Sequence, residues 1–132
     1  MKKTTVLLLP LLVPLVLASC ERQEPKSAQA RLQLPGPDFV ADAGRGRTLF
    51  EANCAKCHGQ DLRGTTQGPP FLDPIYRPGH HADVTFYSAV KYGVMPHHWR
   101  FGPMSAVQGL TPEDVGDIVA FVRQEQRAAG IE

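Results

Sequence analysis

An excess of charge of either sign is missing from this chain. Its 132 residues carry 14 Lys+Arg against 13 Asp+Glu, a formal charge of +1. That balance gives no bulk attraction to nucleic acid or to an anionic membrane surface. Cysteine is scarce and odd in number, at three, so a framework built only of disulfides is excluded. Tryptophan occurs once. No apolar run reaches the about 20 residues that a membrane-spanning helix takes. The longest, Val6 to Leu17, is twelve residues and holds Pro10 and Pro14. Proline and glycine are plentiful at twelve each, which implies many turns and little sheet. With 20% charged and 42% hydrophobic residues, the composition is that of one globular domain with tails.

The N-terminus reads as an address. Lys2 and Lys3 precede the apolar run, and Leu17-Ala18-Ser19 closes it, the order of a secretory signal. Leu17-Ala18-Ser19-Cys20 resembles a bacterial lipoprotein signal, whose motif is Leu-small-small-Cys. The resemblance implies that residues 1–19 are removed and that Cys20 is acylated, tethering the chain to a membrane. The competing reading is a plain secreted protein with an unmodified Cys20. Cleavage leaves 113 residues and, with Lys2 and Lys3 gone, a formal charge of −1. Glu21 to Pro37 is polar, holds three prolines and has only Leu32 and Leu34 as strong apolar residues, so residues 20–37 read as the lipidated Cys and a linker. Seventeen flexible residues span roughly 23 Å. The folded domain is then 38–132.

Within that domain the periodicity predicts three helices and long loops. Asp42 is a candidate N-cap for a helix running through Arg45, Leu49 and Phe50 to about Asn53. Gly59 to His80 is rich in Gly and Pro and reads as loop. A second helix is expected over Ala82 to Tyr92, stopped by Gly93. Val94 to Leu110 reads as loop again. Thr111-Pro112-Glu113-Asp114 is a helix start, with Val115, Ile118, Val119 and Val122 following at helical spacing to near Gly130. Three helices in about 95 residues make a small core, and domains of this size rely on something extra.

Cys54-Ala55-Lys56-Cys57-His58 supplies that extra element. C-x-x-C-H is the pattern of c-type haem attachment. Two thiols three residues apart on one helical turn can each form a thioether, and the adjacent His58 offers its imidazole to the iron from the same face. A thiol–disulfide pair would want an α/β context that the helix pattern lacks. A zinc site would want a second Cys pair, and none exists. His80, His81, His97 and His98 lack tetrahedral spacing and read as solvated loop residues rather than ligands. The cysteine count closes on two thioethers and one lipid anchor.

From residue 42 to 131 the chain resembles class I c-type cytochromes, carried by Gly46-x-x-x-Phe50, C-x-x-C-H, Gly68-Pro69 and Phe121. The resemblance implies an all-α cytochrome c fold, three main helices wrapped around one covalently bound haem c. It implies that Gly46 lets the C-terminal helix cross closely, with Phe121 as the aromatic on that helix. It also implies that the Pro69 carbonyl accepts a hydrogen bond from His58 Nδ1–H, with Pro70 as the neighbouring candidate.

The second axial ligand has two candidates. Met95-Pro96 keeps the Met-Pro pair usual in that class, and Met104-Ser105 departs from it. Met104 lies seven residues before Thr111, the spacing of the class, while Met95 lies sixteen before it and only two after Gly93. His97-His98-Trp99-Arg100-Phe101-Gly102 further resembles a bacterial subgroup in which this stretch shortly precedes the ligand methionine. Met104 is the expected ligand and Met95 the alternative. Met/His ligation implies a relatively high potential. Trp99 needs a partner for its indole N–H when buried, and a haem propionate, Arg100 or His98 could supply one.

A six-coordinate iron changes oxidation state without binding substrate. The expected function is an extracytoplasmic, membrane-tethered mono-haem cytochrome carrying single electrons between redox proteins. Membrane respiratory complexes or an extracytoplasmic oxidoreductase are the expected partners, and nucleic acid is not. The alternatives are a cytochrome subunit of a dehydrogenase or oxidase complex, or a haem-based gas or peroxide sensor. With no second catalytic constellation, the chain does not read as an enzyme in its own right. Lys56, Arg63, Arg45 and Arg47 are expected to ring the haem edge with positive charge and to steer acidic partners.

Overall fold

The computed structural model describes residues 31–132. The signal segment, Cys20 and the linker up to residue 30 lie outside the described residues. No helix among the described residues is long and apolar enough to cross a membrane.

Among the described residues after residue 40, the α-helices are, in chain order, α1 (Ala43–Asn53), α2 (Ala55–His58), α3 (Asp83–Tyr92) and α4 (Pro112–Ala128), with a 3₁₀ turn at Pro74–Tyr76. The three expected helices fall within a residue or two of their predicted bounds, because their caps are written in the sequence. Asp42 accepts the Gly44 and Arg45 backbone N–H groups at 2.8 and 3.1 Å. Thr111 and Asp114 form a reciprocal capping box at the start of α4, at 2.8 and 3.1 Å. The fourth helix, α2, is one short turn that carries the attachment motif. The 3₁₀ turn sits inside what the sequence predicts as loop. Asp73 caps it, accepting the Ile75 N–H at 2.9 Å, and Pro74 starts it.

The core lies where α1 crosses α4. Phe50, Ala55, Leu62, Ile118, Phe121 and Val122 form its buried cluster. Phe50 meets Phe121 with ring centroids 5.5 Å apart, and Arg47 lies over the Phe121 ring at 4.8 Å. Gly46 makes the crossing possible, since a Cβ there would lie 1.9 Å from the Asp117 carbonyl oxygen. Asp117 in turn accepts the Asp42 N–H at 2.7 Å, so the start of α1 is fastened to α4. Arg45 bonds both Asp114 and Asp117, and Arg47 reaches Glu125 at 3.1 Å.

The remaining chain wraps around this pair. α3 buries none of its own residues, although Phe86, Tyr87, Ala89 and Val90 are half-covered. Val94 and Met104 are joined by an isolated antiparallel bridge, each N–H donating to the other's carbonyl at 3.0 Å. The bridge depends on Gly93, whose φ of 76° is left-handed and where a Cβ would lie 2.3 Å from the Met104 carbonyl. At the same end of α3, Lys91 bonds the Arg31 carbonyl and the Gln33 side chain.

Candidate functional site

Cys54, Cys57 and His58 lie together on α2 and the residue that caps it. The turn is short because Gly59, with φ 79°, ends it and sends the chain outward. Both cysteines are free and half-buried, and His58 is buried at 7% exposure. Burial, and then the neighbouring Cys57, push the Cys54 thiol up to about 11, so it holds its proton at neutral pH. Burial likewise pulls the His58 imidazole below its ordinary value, against a smaller upward effect of its hydrogen bond to Pro69. The neutral ring is the form that can ligate a metal.

The loop after α2 fixes the orientation of that ring. His58 Nδ1 lies 3.0 Å from the Pro69 carbonyl, to which it donates, leaving Nε2 with its lone pair. Pro69, rather than Pro70, supplies the acceptor. Gly68 brings this loop onto the attachment turn, since a Cβ there would lie 2.8 Å from the Cys57 carbonyl oxygen. Thr65 Oγ1 donates to the same carbonyl at 2.7 Å. The Phe71 ring then stacks on His58, with centroids 4.3 Å apart and planes 17° from parallel.

Two buried polar residues of α4 hold this loop, and sequence reasoning missed both. Gln126 is fully buried and donates from Nε2 to the Phe71 and Tyr76 carbonyls at 2.8 and 3.2 Å. Arg123 donates to the Tyr76 carbonyl at 2.8 Å, to Gln126 Oε1 at 2.6 Å and to Asp83 at 2.8 Å, and also bonds the His81 carbonyl. The available signal was an Arg and a Gln three residues apart, in step with Val119 and Val122 on the apolar face of an amphipathic helix. Buried polar groups at such positions carry partners.

The two methionines differ in environment. Met95 is 77% exposed, whereas Met104 is half-buried and tied to Val94 on both sides of its backbone. Trp99 is half-buried, and its Nε1 is shut off from solvent without a hydrogen-bond partner. The Tyr76 phenol is raised by burial and lowered by the indole beside it, yet the two do not meet at hydrogen-bonding geometry. A cleft of about 490 Å³ lined by Phe39, Tyr87, Gly116 and Arg123 includes none of these residues.

A family model described as Cytochrome c matches residues 43–126. The chain belongs to the cytochrome c family. As a c-type cytochrome it takes covalently bound haem c and the all-α cytochrome c fold, and an electron-transfer role follows from that membership. The residues present fit the group. His58 has one nitrogen fixed and the other free, two reduced thiols flank it, and Trp99 offers a buried donor lacking an acceptor.

This cytochrome c is 33% identical over 98 residues to the cbb3-type cytochrome c oxidase subunit CcoP of Rhodobacter capsulatus, covering 69% of this chain and 32% of that one. It is 28% identical over 88 residues to cytochrome c-554(547) of Halothiobacillus neapolitanus, covering 63% of this chain and 96% of that one. A thiosulfate dehydrogenase of Thiomonas intermedia is 28% identical over 101 residues, covering 71% of this chain and 30% of the enzyme. The chain thus spans about a third of the oxidase subunit and of the dehydrogenase, and matches nearly all of the small cytochrome.

The expected ring of positive charge needs correction. Arg45 and Arg47 are engaged by Asp114, Asp117 and Glu125 of α4, and Arg63 lies 3.9 Å from Asp61. The sequence hid these acids because they lie 69 to 78 residues away from Arg45 and Arg47. Lys56 makes no ion pair among the described residues. His80, His97 and His98 are exposed loop residues, as expected, and His81 is half-buried; what the sequence does not show is that the fold gathers the four rings into one group.

Proposed function

We propose that this chain is an extracytoplasmic mono-haem electron carrier, tethered to a membrane through Cys20. In this reading Cys54 and Cys57 hold the haem by thioethers, and His58 and Met104 ligate its iron. Bound haem supplies one metal centre that gains and loses a single electron. The protein's own residues do the rest. Pro69 holds the His58 ring in one tautomer and one orientation, so the same imidazole nitrogen faces the iron in both oxidation states. Gln126 and Arg123 hold the loop that carries Phe71, and Phe71 keeps water from the His58 ring. Trp99 offers its indole N–H to a propionate.

The observation that carries this reading is the imidazole of His58, buried, pinned at Nδ1 and flanked by two reduced cysteines. Met104 is favoured over Met95 because its backbone is fixed and its side chain half-covered, while Met95 is open to water. An iron with both axial positions filled needs no substrate site, which supports a carrier rather than an enzyme in its own right. Similarity to CcoP favours a second reading, a cytochrome subunit seated in a respiratory oxidase, and co-purification with a large membrane partner would select it.

Absorption spectra of the oxidised and reduced protein test the site. Met104→Ala is expected to lose methionine ligation, to bind carbon monoxide when reduced, and to lower the midpoint potential. Met95→Ala is expected to leave all three unchanged. The reverse pattern would move the ligand to Met95.

A further inference from the structure

Outside the haem site, the fold makes a second cluster of ligating side chains. His80 and His81 stand on the loop before α3, and His97 and His98 on the loop closed by the Val94–Met104 bridge. The two pairs are 17 residues apart in sequence. In the structure, one ligand nitrogen each from His80, His81 and His98 lie within 4.8 Å of one another. We propose that His80, His81 and His98 form a surface site for a borderline first-row divalent cation, of the class of Zn²⁺ or Cu²⁺, separate from the haem iron.

The chemistry of the trio supports this. Imidazole is the side chain that suits zinc and copper, and three protein ligands with one open position are a standard zinc arrangement. His80 Nε2 and His98 Nε2 are 3.2 Å apart. Two nitrogens on a tetrahedral centre with bonds of about 2.0–2.1 Å stand about 3.3 Å apart, so the pair already has that spacing. His81 is oriented as a metal-ligating histidine usually is. Its Nδ1 lies 2.8 Å from the Ile75 carbonyl and donates to it, which directs the lone pair of Nε2 elsewhere. The backbone of His81 is itself held, its carbonyl bonded by the buried Arg123. His80 and His98 are exposed, which gives a hydrated cation a way in, and water fills the fourth position. His97 stays outside, its Nδ1 turned to the Met95 carbonyl at 3.3 Å.

The site reaches the haem ligand through rings. His81 packs on Tyr76 at 4.7 Å, Tyr76 on Phe71 at 5.3 Å, and Phe71 on His58 at 4.3 Å. The proposal does not depend on which methionine ligates the iron.

The test is titration of untagged holocytochrome with Zn²⁺ at pH 7.5, by calorimetry and by competition with a chromogenic chelator. One equivalent is expected to bind. His80→Ala and His98→Ala are each expected to weaken binding at least tenfold, and the double variant to abolish it. His97→Ala is expected to stay within threefold of wild type. Haem absorbance and far-ultraviolet circular dichroism are expected to be unchanged in each variant. Should the alanine pair lose haem, the glutamine pair at the same two positions carries the test. Substoichiometric uptake by the wild type, or a double variant that binds as tightly as the wild type, would overturn the proposal.

Discussion

Gly46 sits where one hydrogen is all the space allows. A methyl group there meets a backbone carbonyl of α4 at 1.9 Å, and a backbone cannot step aside as a side-chain tip can. Gly46→Ala is therefore expected to lower stability by about 2–3 kcal/mol, even though alanine favours a helix by about 1 kcal/mol. Thermal melting of the holoprotein measures it, and a stabilised variant would contradict the close crossing. Gly46 and Phe121 could be read from sequence because their spacing matches a family pattern. Gln126 could not, since its role is set by the Phe71 and Tyr76 carbonyls that the fold brings to it. The histidines show the same limit. Each pair is visible in the sequence, but no spacing rule joins residues 80 and 98, and only the folded loops do.

The helices were legible where their caps were. Asp42, Thr111 and Pro112 announce α1 and α4, and the structure begins both helices there. The Val94–Met104 bridge was not legible, because two residues exchanging backbone bonds leave no side-chain pattern. The N-terminus of α4 also carries an acid-sensitive fastening. Asp114 lies below its ordinary pKa chiefly through the Thr111 backbone N–H, with the Thr111 side chain and Arg45 adding to the effect against burial. A carboxyl depressed in the folded state contributes stability above its unfolded value of about 3.9, and that stability is lost as pH falls through the lower folded value. Asp114→Asn is expected to be less stable at pH 7 and to flatten the acid limb below about pH 4. Circular dichroism melts from pH 2.5 to 7 check this, and an unchanged acid limb would remove Asp114 from the fastening.

At the scale of the whole molecule, charge is spent internally. With Arg45 and Arg47 engaged by acids and Arg63 beside Asp61, Lys56, which makes no ion pair among the described residues, is the positive charge left on the attachment turn to steer a partner. Electron transfer with a soluble acceptor is expected to change less than about threefold between 50 and 500 mM salt, as measured by stopped flow, because exposed charges are screened within about 10 Å. A steep loss of rate would restore the basic docking ring. The proposed tether has its own measurement. Cys20→Ser is expected to move the protein from the membrane fraction to the soluble one with its haem spectrum intact. The clasp between Val94 and Met104 has a further consequence. Met95 to Pro103 form a nine-residue lasso whose knot, not its rope, fixes the backbone of Met104. Doubling such a loop costs only about 0.6 kcal/mol in closure entropy. The lasso is thus a graft point, where residues added to either side of His98 and Trp99 leave the backbone of Met104 in place.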